Sequence, residues 1–242
     1  MNAIRIENLT KRYKDVIAVD NLALTIRQGE LFSLLGVNGA GKTTTIKMLC
    51  GLTAPTSGDA FLLDRSIRTQ TAEVKPLIAV SPQETAVASG LTVRENLALI
   101  CGVHGFHKAK QTERIHAVTE LLGLQDVLLR KAGKLSGGWQ RRLSIAMALI
   151  SEPQILFLDE PTLGLDVLAR SDLWELIRAL KGKVTIILTT HYMEEAEALS
   201  DRIGIMAKGR LLVCGTPEEI KVSAGANSIE QAFVTIVKEA IK

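Results

Sequence analysis

Apolar and polar positions alternate at the start of the chain. Ile4 and Ile6 stand between polar neighbours, and Leu22, Leu24 and Ile26 repeat the pattern. A period of two puts one face of a strand in a core and the other in water. Gln28-Gly29-Glu30 reads as a turn. Residues 31–35 are then nearly all apolar, as in a strand buried on both faces. A glycine-rich loop follows, then a helix expected over residues 42–50 and closed by Gly51. Near residue 90 the period changes. Thr92 and Glu95 form a capping box before an apolar-periodic stretch, and residues 111–122 and 141–150 read as helices. These make a helical insert. Strand patterns return at 155–158, 184–188, 203–207 and 211–213, separated by helices expected at 167–180 and 193–199. Alternating β and α units predict a mainly parallel core sheet under helical cover, and the alternating N-terminal strands predict an antiparallel lobe. Thr216-Pro217-Glu218-Glu219 opens another helix. A last helix is expected from Ser228, with Gln231 completing a second box and Ile229, Phe233, Ile236, Val237 and Ala240 as its apolar stripe.

Composition narrows the class. A chain of 242 residues suits one large domain that needs no disulfide or structural metal. With 47% hydrophobic and 23% charged residues it is globular rather than disordered. A net charge of +3 does not mark a nucleic-acid binder. The apolar runs are too short to span a bilayer, and the N-terminus lacks the apolar region of a signal peptide. The mean hydropathy of +0.20 fits a buried sheet, a partner face, or both. Cys50, Cys101 and Cys214 sit at no metal or redox spacing and read as free thiols of a reducing cytosol.

Two features carry chemistry. Gly36-Val37-Asn38-Gly39-Ala40-Gly41-Lys42-Thr43 fits the phosphate-loop pattern, with a buried strand before it and a helix after. Glycines let backbone N–H groups curl around phosphate oxygens, and the helix N-terminus adds its positive end. Lys42 places a cation on the terminal phosphates, and Thr43 offers a hydroxyl to Mg²⁺. The strand at 155–158 ends in Asp159-Glu160. Ligands bind at the carboxyl ends of parallel strands. There Asp159 can hold Mg²⁺, and Glu160 can polarise the water that attacks the γ-phosphate.

Leu135-Ser136-Gly137-Gly138-Trp139-Gln140 resembles the signature motif of ABC-type ATPases, 23 residues before Asp159. Other parts of that family's pattern follow in order. Tyr13 resembles the aromatic that stacks on adenine, and Gln83 in Ser81-Pro82-Gln83-Glu84 the Q-loop glutamine. Pro161-Thr162-Leu163-Gly164-Leu165-Asp166 resembles the D-loop, and His191 in Thr189-Thr190-His191 the switch histidine. Residues 163–167, 189–197 and 215–217 resemble the drug-export branch, whose members pair with a separate membrane permease. Val37 stands where proline is common, and Trp139 follows the signature glycines; neither change removes a functional group.

The resemblance implies a P-loop NTPase (RecA-like) α/β core with an antiparallel β subdomain and an inserted α-helical subdomain. The whole chain, 1–242, is one ATPase domain. Residues 1–88 and 152–222 form the ATP-binding core, 89–151 the helical subdomain and 223–242 a C-terminal helix. It implies ATP held by Tyr13, Gly36, Asn38, Gly39, Ala40, Gly41, Lys42, Thr43 and Thr44, with Mg²⁺ on Thr43, Gln83 and Asp159. Glu160, His191 and Gln83 act in catalysis. Ser136, Gly137 and Gly138 close the γ-phosphate bound by a second copy. The expected partners are that second ATP-binding subunit and an integral membrane permease, with no nucleic acid; the expected place is the cytoplasmic face of the cell membrane. A soluble ABC ATPase and a membrane-anchored regulatory module remain as alternatives.

Overall fold

The computed structural model describes residues 1–241, for Ile241 the backbone alone. Lys242, the end of the expected C-terminal segment, lies outside the described residues. In chain order the elements are β1 (Asn2–Tyr13), β2 (Val16–Arg27), β3 (Leu31–Leu35), α1 (Lys42–Leu49), β4 (Ser57–Leu62), β5 (Arg65–Ser66), α2 (Thr71–Val74), β6 (Ile78–Ser81), α3 (Val93–Val103), α4 (Lys108–Leu121), α5 (Gly137–Leu149), β7 (Ile155–Asp159), α6 (Val167–Leu180), β8 (Thr185–Thr190), α7 (Met193–Leu199), β9 (Arg202–Ala207), β10 (Arg210–Gly215), α8 (Pro217–Ser223) and α9 (Ile229–Ile241).

The alternating N-terminal strands form the expected antiparallel lobe. Its strand order is β2-β1-β4-β5, with Ile4 opposite Ile26 and Ile6 opposite Leu24. The apolar strand β3 leaves that lobe for the second sheet, ordered β10-β9-β3-β8-β7-β6. Strands β9, β3, β8, β7 and β6 run parallel there, and β10 closes one edge antiparallel. Strands β3, β7 and β8 are buried along their whole length. Successive side chains of a strand point to opposite faces. Leu156 and Leu158 therefore join the cluster of α3, α4 and α5, while Ile155 and Phe157 pack with the antiparallel lobe and α1.

This topology brings three chain segments together. Leu35 lies opposite Thr190, and Asp159 opposite Thr189. The loops leaving the carboxyl ends of β3, β7 and β8 are thus neighbours, as ligand sites of parallel sheets require.

Several expectations shift. α5 begins at Gly137, four residues before the periodic stretch read from 141, and Ser136-Gly137-Gly138 stand at a helix start as the signature reading expects. β4, β5 and β6 carry no clean period and were not expected. Thr92 and Thr216 each cap a helix in a closed box, as the sequence predicts. The box at Ser228 stays open: its hydroxyl accepts from Gln231 N at 3.2 Å, but Gln231 Oε1 accepts from Asn227 N instead. On α9, Ala232 is buried with Ile229 and Phe233, whereas Ala240 is exposed. The cysteines are free, with Cys50 and Cys101 buried.

Candidate functional site

The loop between β3 and α1 is shaped by its glycines. A Cβ on Gly36 would stand 2.5 Å from the Met206 carbonyl oxygen and 2.9 Å from Ala40 Cβ. Gly41 has φ 103°, and a Cβ there would meet the Ala18 carbonyl oxygen at 2.5 Å. Neither position tolerates a side chain. The loop is held between β2 and the β9–β10 turn, where Gly209 N donates to Ala40 O at 3.1 Å. α1 begins at Lys42, so its unpaired first-turn N–H groups open into a cleft of about 570 Å³.

Residues 38–44, Gln83 and Glu160 line this cleft. Lys42 is 4% exposed. Its Nζ donates to Gly36 O at 2.7 Å and lies 3.3 Å from Glu160 Oε1. His191 Nδ1 is 3.0 Å from Glu160 Oε2. The Glu160 carboxylate therefore sits between a cation and an imidazole, each on a different loop. Glu160 takes a left-handed φ of 47°, fixed by its N–H, which donates to both Thr189 O and Thr189 Oγ1 at 3.1 Å. Beside it, Asp159 Oδ1 accepts from Thr43 Oγ1 at 3.1 Å and from Thr189 Oγ1 at 2.5 Å.

Among the described residues no three His, Cys, Asp or Glu side chains cluster to cage a metal unaided. The Thr43 hydroxyl, Asp159 carboxylate and Gln83 amide are hard oxygen donors instead. They suit Mg²⁺, which takes few protein ligands and completes its shell with waters and substrate phosphates.

Gln83 is held from behind. Arg141 of α5, 4% exposed, donates to Pro82 O at 2.6 Å and Gln83 O at 2.5 Å. Burial pushes its guanidinium below the ordinary arginine range, and the charges of Asp159 and Glu195 oppose this. Sequence reasoning missed Arg141, which had no signal beyond its place in the signature helix. It also missed Val16, Ile17, Ala18 and Lys208, which line the cleft from β2 and the β9–β10 turn. The Lys208-Gly209 turn was the one visible hint.

Gly36, Asp159 and His191 bond to lining residues without lining the cleft themselves, and two further expected groups lie apart from it. Tyr13 ends β1 opposite Val16, half exposed, with Lys11 Nζ 4.8 Å from its ring centroid. It is thus next to a cleft-lining strand without lining the cleft. Ser136, Gly137 and Gly138 are also absent from the lining. Ser136 caps α5 by position, yet its hydroxyl makes no cap hydrogen bond. Ser136 and Gly137 are exposed. Val37 is half exposed, and Trp139 packs on the helical core under the Arg142 guanidinium, 4.8 Å from its ring.

A phosphate cradle at the carboxyl end of a parallel sheet, with a carboxylate at its mouth and a histidine bonded to that carboxylate, defines a nucleotide-binding class. Residues 19–163, more than half of the chain, match the ABC transporter family, and the chain belongs to that family. It is 38% identical over 242 residues to the probable multidrug ABC transporter ATP-binding protein YbhF of Escherichia coli, covering 98% of this chain and 42% of that protein. It is 40% identical over 226 residues to the daunorubicin/doxorubicin resistance ATP-binding protein DrrA of Streptomyces peucetius, covering 93% of this chain and 68% of that one. A solved ATP-binding subunit of an ABC transporter superposes with a TM-score of 0.85 at 28% identity, over 97% of this chain and 99% of the other. The chain thus spans less than half the length of the YbhF relative.

Proposed function

We propose that this chain binds and hydrolyses ATP to drive export through a partner membrane permease, working as a pair of ATP-binding subunits. The observation that carries the hydrolysis is the Glu160 carboxylate, held between Lys42 and His191 at the mouth of the phosphate cradle. Glu160 takes a proton from the attacking water, and His191 orients it and hydrogen-bonds the γ-phosphate. Lys42 and the first turn of α1 hold the phosphates. Thr43, Asp159 and Gln83 are the residues that would hold Mg²⁺, whose charge stabilises the phosphates when bound.

The pairing reading starts from a mismatch. The chain carries two anion-seeking helix starts, at α1 and α5, and only the first lines the cleft. The free Ser136 hydroxyl and exposed Gly137 N–H suit a phosphate presented by another copy, closing two shared sites about a two-fold axis. ATP then favours the closed pair, and the permease follows. Residues 89–151 serve as the helical subdomain between ATP core and permease, with 1–88 and 152–222 as the core. Among the described residues no helix is long and apolar enough to cross a membrane. The membrane-crossing part is assigned to the partner, with this chain peripheral on the cytoplasmic face. Export is favoured by the names of two relatives, one a probable multidrug transporter protein and one a daunorubicin/doxorubicin resistance protein.

The permease contact is placed at residues 85–88, the small, apolar segment after Gln83. Within it Val87 packs on the helical core, and the backbone of Ala88 is tied to buried Asn96 at 2.8 Å. Ala86 is exposed and is the clean probe. Burying an uncompensated charge costs several kcal/mol of association. Ala86→Arg is expected to abolish co-purification with the permease while ATPase of the isolated chain stays within about twofold. Intact co-purification would remove this segment from the contact.

A further inference from the structure

Behind the cleft lies a buried carboxyl that the scheme above does not use. Glu195, on the first turn of α7, is 0% exposed. Its Oε1 accepts from Trp174 Nε1 of α6 at 3.0 Å. Its Oε2 is buried with no hydrogen-bond partner, and so is Thr162 Oγ1. The Thr162 and Thr190 hydroxyls both border the carboxyl. Thr190 Oγ1 accepts from Tyr192 N at 2.9 Å, which leaves its proton free for Glu195. Thr190 immediately precedes His191, and Thr162 follows Glu160 by two residues. One side chain thus touches both loops that carry the reacting groups.

We propose that Glu195 is a positioning residue, which sets the separation of Glu160 and His191 by joining the Thr162 loop, the end of β8 and Trp174. The proposal rests on the reading of Glu160 and His191 as the hydrolytic pair. Two orphaned buried polar atoms side by side are costly unless they meet. A proton on Oε2, or the Thr162 hydroxyl turned toward it, satisfies both. Burial raises the Glu195 pKa above the usual carboxylate range, against the neighbouring Thr190 and Thr162 hydroxyls and the Trp174 hydrogen bond. The charged groups facing it are Arg170 of α6 and Arg141 of α5. The Thr162 loop and β8 contribute only hydroxyls.

The test uses Glu195→Gln, Glu195→Ala and Thr162→Val in the full chain. Two readouts are followed: ATPase kinetics, and the indole N–H NMR signal of Trp174, assigned with Trp139→Phe because the chain has two tryptophans. Glu195→Gln should keep kcat within about threefold, since the amide preserves shape and hydrogen bonding. Glu195→Ala should lower kcat at least about tenfold with KM for ATP nearly unchanged. Thr162→Val should lower kcat in the wild type and add little in Glu195→Ala, because the two act as one unit. The Trp174 signal should move with pH in the wild type, with a midpoint above the usual carboxylate range, and stay still in Glu195→Gln.

Wild-type kcat in Glu195→Ala, additive losses, or a Gln variant as poor as Ala would overturn the proposal. An indole signal indifferent to both pH and Glu195→Gln would do the same. If Glu195→Ala fails to fold, Thr162→Val and the indole signal decide: wild-type kcat in Thr162→Val would overturn the proposal. A wild type that hydrolyses no ATP would sink the functional reading, while the indole signal would still test the contact.

Discussion

Glu160→Gln is expected to slow ATP hydrolysis by about 10²–10⁴-fold, the range for removal of a positioned general base. The amide keeps the shape and can still bond His191 Nδ1, now 3.0 Å from Oε2. It removes the charge that Lys42 Nζ faces at 3.3 Å. The lysine is then drawn more fully to the phosphates, so ATP affinity should hold or rise. ATP-bound dimers should accumulate and elute early in size exclusion, because the release step depends on hydrolysis. Single-turnover ATPase and elution volume check both halves. A wild-type rate would remove Glu160 from the role of base.

Lys42→Ala should act on binding instead. A hydrogen bond to a charged group contributes about 1.5–3 kcal/mol, or about 10–150-fold in Kd. The same change takes the cation away from Glu160, only 6% exposed, and leaves it the His191 imidazole at 3.0 Å. The repulsion between that carboxylate and the γ-phosphate is then unscreened, which places the loss toward the upper end of the range. Fluorescent-nucleotide titration measures it, with circular dichroism as the control for folding. An unchanged Kd would contradict the cradle geometry.

The sequence revealed elements whose cause is local. Residues 31–35 and 155–158 read as buried strands because both faces are apolar, and they are fully buried. Thr92 and Thr216 announced their helices because capping boxes are local chemistry. β4 and β5 stayed hidden because Gly58, Asp59 and Arg65 interrupt any period, and the pairing of β4 with β1 and of β6 with β7 is long-range. Within the site, the phosphate loop and Asp159-Glu160 were legible as motifs. The bond between Thr43 and Asp159, 116 residues apart, needed the parallel register of β3, β8 and β7. Arg141 and Glu195 were illegible for the same reason: each owes its role to what the fold places against it. Tyr13, Ser136, Gly137 and Gly138 were named on resemblance, and the cleft of a single chain does not include them.

In the proposed pair each ATP is enclosed by the phosphate loop of one copy and the Ser136 helix start of another. Mixing a Lys42→Ala chain with a Ser136→Arg chain tests it. In a shared arrangement one site of the mixed pair carries both lesions, and the other joins an intact cradle to an intact signature. If each chain closes its own site, every site carries one lesion. With differently labelled chains, energy transfer on adding ATP is predicted to rise well above that of either variant alone. Transfer no greater than in the single variants would contradict the shared site.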